Sequence, residues 1–87
     1  SVGRPELQGF VGALIGKATA AIEIVSLSTA ERAKHVRDVD SLARLLGTDD
    51  RANAGLTAKE HAVLTRVAEH PDISPLAARS ITLMATR

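Results

Sequence analysis

At 87 residues the chain holds one domain with a single core, too short for two. Hydrophobic residues make up 45% of it, which excludes wholesale disorder, and a formal charge of +1 leaves no strong electrostatic footprint for DNA or RNA. Phe10 is the one aromatic residue and cysteine is absent, so base stacking has almost no platform, while disulfides, thiol catalysis and thiolate metal sites are excluded. The lack of cysteine is compatible with a cytoplasmic home. Ser1 rather than Met opens the chain, so either an initiator has been removed or this is a piece of a longer protein.

The first element is the longest apolar-periodic run, PELQGFVGALIGKATAAIEIVSL, and its spacing predicts a helix over about 5–27. Leu7, Phe10, Val11, Leu14, Ile15, Ala18, Ile22 and Val25 fall on one broad apolar stripe. Pro5 suits the first turn, where its missing N–H costs nothing. A second stripe is small: Gly9, Gly12, Gly16 and Ala20. Each interior glycine costs roughly 1 kcal/mol of helix propensity relative to alanine, so something is expected to come close to the backbone there, a helix or a ligand. Glu6, Lys17 and Glu23 interrupt the run, so it is a core helix and not a membrane span, and no basic n-region or cleavage pattern marks a signal peptide.

Ser28 with Glu31 forms a capping-box pattern that opens a second helix over 29–46. Ala33, Val36, Val39, Leu42, Ala43 and Leu46 are its inward residues. Arg32, Lys34, Arg37, Asp38, Ser41 and Arg44 take the other face, and Gly47 stops it. Residues 48–56 are a polar connection, with room for one helical turn after Thr48. Thr57 and Glu60 repeat the capping box and open a helix over 58–70, with Val63, Leu64, Val67 and Ala68 inward and Pro71 at its end. Ser74 and Pro75 then read as N-cap and first residue of a last helix, 75–86, packed through Leu76, Ala77, Ile81 and Met84. The expected architecture is all-α, a small bundle of four helices forming a single domain over 1–87.

Several motifs resolve into plain structure. GALIGKAT lacks the glycine spacing and the hydroxyl residue of a phosphate-cradling loop, and it lies in a helix. Asp38 and Asp40 form a D-x-D, but two residues apart on a helix their carboxylates diverge, so a solvated helix face is expected. His35, His61 and His70 lack metal-ligand spacing and are expected at the surface or at helix ends; no metal site follows. No nucleophile, base and acid arrangement is present, so no catalytic residue is assigned. Lys17 reads first as a snorkelling side chain with its ammonium in water. Its alternatives are an acidic partner on the second helix, Asp38 being the obvious one, or the phosphate of a nucleotide.

Taken together, GRPELQGFVGALIGKATAAIEI and ERAKHVRDVDSLARLLG resemble the helical C-terminal region of nucleotidyltransferase-like proteins, the polymerase-β-type enzymes of abortive-infection and toxin–antitoxin systems. The matching positions are Pro5, Lys17 and Ala18, then Lys34, His35, Asp38 and Leu42, within the first half of the chain. The resemblance implies a helical domain beside a catalytic sheet, with Lys17, Lys34, Arg37 and Asp38 near nucleotide phosphate or partner. Mg²⁺ and a nucleotide would belong to the parent enzyme and no cofactor to this chain, because the catalytic Gly-Ser and strand-borne D-x-D are absent. The chain alone is therefore expected to catalyse nothing. GLTAKEHAVLTRVAEHPDIS also resembles the opening of a MarR-type winged helix-turn-helix, which implies DNA contact through Arg79 and Arg87. The stretch after Ser74 has no room for a recognition helix plus wing, so nucleic-acid binding is expected to be weak or absent.

The reading is a helical accessory domain of a nucleotidyltransferase-like protein that binds its catalytic domain, or another protein, through apolar helix faces. The alternative is a small regulator or antitoxin-like module, bacterial and cytoplasmic, binding protein partners or weakly DNA. A homodimer through the glycine stripe is a third.

Overall fold

The computed structural model describes residues 5–47 and 56–85, with side chains in the first helix from Gly9 onward. Four helices form, α1 (Pro5–Glu23), α2 (Thr29–Leu46), α3 (Ala58–Ala68) and α4 (Pro75–Ala85), and no strand occurs among the described residues. The all-α bundle expected from the sequence is what the chain adopts. The helical turn expected after Thr48 lies outside the described residues.

Both capping boxes close. The Glu31 amide donates to Ser28 Oγ at 3.2 Å while the Ser28 amide donates to Glu31 Oε1 at 2.9 Å. At α3 the Glu60 amide donates to Thr57 Oγ1 at 3.1 Å, and the Thr57 amide to Glu60 Oε1 at 2.8 Å. Each box satisfies two helix-end donors, and losing such a cap costs about 1 kcal/mol. Gly47 ends α2 with φ of 58°, a left-handed value that an L side chain resists, and its amide donates to Ala43 O at 2.9 Å. Ser74 Oγ accepts from the Ala77 amide at 3.2 Å and so caps α4 ahead of Pro75.

Two helices stop short of their expected ends. α1 was expected to reach residue 27 but stops at Glu23. Arg32, expected on the solvent face of α2, reaches back instead. Its guanidinium donates to the carbonyl of Ala21 at 2.9 Å and to that of Ile24. α1 has no basic residue in its last turn, so α2 supplies the cation that its carbonyls and dipole favour. Val25 falls in the turn that follows and is 89% exposed rather than inward. α3 stops at Ala68, two residues early, because Pro71 pushes His70 out of the helical region. The amides of Glu69 and His70 then bond the carbonyls of Arg66 and Val67 in a tightened last turn.

α1 packs on α2, α2 on α4, α4 on α3 and α3 on α1, which sets the helices at the corners of a square. Ion pairing of Lys17 with Asp38, and hydrogen bonding of Ala21 with Arg32, step in opposite directions along α1 and α2. The two are therefore antiparallel. The core at the centre of the square takes Leu14 and Ala18 from α1, and Val39, Ala43 and Leu46 from α2. Val63, Leu64 and Val67 come from α3, with Ala77, Ile81 and Met84 from α4. No ring enters it: Phe10, placed on the apolar stripe by its spacing, is 40% exposed. Leu76 likewise faces out, at 69% exposed, whereas the sequence pattern put it inside. Ala33 and Leu42 are half-buried at the edge of the α2 stripe.

Glu23 closes the far end of the square. Its Oε2 accepts from Arg66 at 3.0 Å, and Lys59 Nζ lies 4.0 Å from its Oε1. An acid at a helix C-terminus opposes the dipole, and these cations of α3 offset it. The pairs are largely exposed, so each contributes no more than about 1 kcal/mol.

Candidate functional site

Two features stand apart from the packing described so far: a charged seam between α1 and α2, and a bare face on α1.

The seam is centred on Lys17. Its ammonium lies 3.0 Å from Asp38 Oδ2, and each side chain keeps about a third of its surface exposed (36% and 35%). The snorkelling account is thereby corrected: the ammonium has the acidic partner on α2, because the antiparallel register brings position 17 opposite position 38. The hydrogen bond from Lys17 is the main reason the Asp38 carboxyl sits below its ordinary range. Partial burial opposes this, and the charges of Lys17, Lys34 and His35 assist. Lys34 and Arg37 are exposed on α2, and neither has an ion-pair partner among the described residues. Of the residues expected at phosphate or partner, the structure joins Lys17 with Asp38 and leaves Lys34 and Arg37 on the rim.

A pH dependence follows. The Asp38 carboxyl titrates below its unfolded value of about 3.8 in the folded chain. The pair's contribution is thus fully present above the unfolded value and disappears as pH falls through the folded one. Asp38→Asn is expected to lower stability by up to about 1 kcal/mol at pH 7, the range of a solvent-accessible pair. Urea unfolding at pH 7 and again near pH 2 checks this: the two proteins should differ at the first and converge at the second. An equal gap at both would mean that the charge of Asp38 contributes nothing.

Asp40 departs from expectation. Its partner in the D-x-D is half-exposed, but Asp40 itself is buried at 9%, so the solvated-face reading fails for this residue. Its Oδ2 accepts the Ser74 amide at 2.6 Å, and its Oδ1 meets Arg44 Nε at 2.8 Å, one turn along α2. The diverging directions of the two carboxylates explain the split: position 38 faces α1 and position 40 faces the start of α4. The cap of α4 was legible in Ser74 and Pro75. The acceptor for the Ser74 amide was not, although Arg44 four residues after Asp40 hinted at an ordered carboxylate.

His35 is half-buried in the middle of α2, not at the surface or a helix end, and its Nδ1 is buried without a hydrogen-bond partner. His61 lies in the first turn of α3, and His70 Nδ1 accepts the Asp72 amide at 3.1 Å just beyond its end. Among the described residues no three His, Cys, Asp or Glu side chains gather as a metal site. Arg79 is exposed on α4, and Arg87 lies outside the described residues. No described helix is long and apolar enough to cross a membrane.

The second feature is the face of α1 away from the core. Gly9, Gly12, Ala13 and Gly16 are exposed there, and the sequence from Leu7 to Gly16 carries no charge. A Cβ built on Gly9, Gly12 or Gly16 would meet no described atom within 4 Å beyond the helix's own turns. The close backbone approach expected from these glycines is therefore not made inside the described chain. Ala20, grouped with them by spacing, is instead buried at 8%, so the small stripe is covered at its C-terminal end and open along the rest. Phe10 stands on the rim of the open part.

No family model, curated protein or solved structure matches this chain.

Proposed function

We propose that this chain is a helical accessory module of a nucleotidyltransferase-like protein, docking against its catalytic domain through the open face of α1. The observation that carries the reading is that uncharged face. Its three glycines weaken the helix by roughly 1 kcal/mol each, with no compensating contact among the described residues. Exposed glycines on a helix let a second backbone come close, as small residues do wherever helices pack tightly. The resemblance of the first half of the chain to the helical region of these enzymes supplies the class of partner. In this reading the chain does no chemistry. Mg²⁺ and nucleotide are held by the catalytic domain, in a cytoplasmic protein. A phosphate contact through Lys17 has to compete with Asp38 for the ammonium, so Lys17 serves first to hold α1 on α2.

The test replaces Phe10 by the photo-crosslinker p-benzoylphenylalanine, which keeps an aromatic ring at the rim of the face. Irradiation in the source cell is expected to join position 10 to a polypeptide bearing the Gly-Ser and paired-aspartate elements of a nucleotidyltransferase. That polypeptide could be the rest of the same chain or a separate protein. Gly12→Leu, which fills the face, should abolish the adduct while leaving the helical circular dichroism intact. An adduct to a protein without those elements, or an adduct that survives Gly12→Leu, would overturn the proposal.

A further inference from the structure

We draw no further inference here: the strongest candidate, the open glycine face of α1 taken as a self-association surface between two copies of the chain, is the surface already proposed for docking, and nothing in the structure shows that a second copy covers it.

Discussion

Leu64→Ala is expected to lower the unfolding free energy by about 3 kcal/mol, in the middle of the range for a buried leucine truncated to alanine. Leu64 is 0% exposed on α3 and sits in the one core that all four helices share. With no aromatic ring in that core, its aliphatic side chains and Met84 carry the apolar burial among the described residues. A domain of this size is held by roughly 4–13 kcal/mol in total, so the loss is a large fraction of what there is. The urea midpoint should fall while the slope of the transition stays the same, and the thermal midpoint should drop by about 15 °C. A loss below about 1 kcal/mol would mean that α3 is not packed against α1 and α4 as described.

Asp40→Ala is expected to cost about 2 kcal/mol, although a carboxylate on a helix surface ordinarily contributes little. The reason is what it leaves behind. The Ser74 amide loses a charge-assisted acceptor at 2.6 Å in a part-buried position, and Arg44 loses its partner at 2.8 Å. Hydrogen bonds to charged groups contribute about 1.5–3 kcal/mol, and a buried donor left unpaired costs its desolvation besides. Asp40→Asn keeps an acceptor for the amide but gives up the charge, so it should fall between wild type and alanine. The direct readout is hydrogen exchange at the Ser74 amide, which should be slow in the wild type and fast in Asp40→Ala. Unchanged protection in the variant would show that Asp40 does not hold the start of α4.

The helices were legible because their ends are written in short-range chemistry. Ser28 with Glu31, Thr57 with Glu60, Gly47, and Ser74 with Pro75 each fix a boundary through residues no more than four apart, and each boundary is where the pattern places it. Of the two boundaries that failed, the end of α3 lies within reach of Pro71, whereas the end of α1 depends on Arg32. That residue reaches the carbonyls of Ala21 and Ile24 only once the hairpin has folded, and nothing in the local pattern announces it. The same holds for Asp40. Period and spacing assigned it to the solvent side of α2, and the arrival of α4 turned that position into an interior one. Lys17 and Asp38 were visible as a candidate pair, but the register that joins them is tertiary, and the snorkelling account was equally compatible with the spacing. Phe10 shows the reverse error. It obeys the apolar period and still leaves 40% of its surface in solvent, because the square of helices covers α1 most fully from Leu14 onward.

The glycines of α1 combine a cost in helix propensity with an open face. Spacing drew attention to them and to the close approach they permit. It could not show that the approach is left unmade by the described chain. That separates what the residues do for the fold from what they do for a partner. In the isolated chain they are a plain weakness, since alanine has a better helix propensity and its Cβ would enter open space at all three positions. In the proposed docking they serve close approach, the familiar opposition between stability and function at a binding surface.

The most direct test is urea unfolding of the isolated chain carrying Gly9→Ala, Gly12→Ala and Gly16→Ala together. Three unhindered glycine-to-alanine changes in a helix are expected to raise its stability by about 3 kcal/mol. That gain would show that the face is bare in the domain itself, as the proposed docking requires. A loss of stability, or no change, would mean that the chain already packs something against this face, and the proposed docking surface would have to be given up.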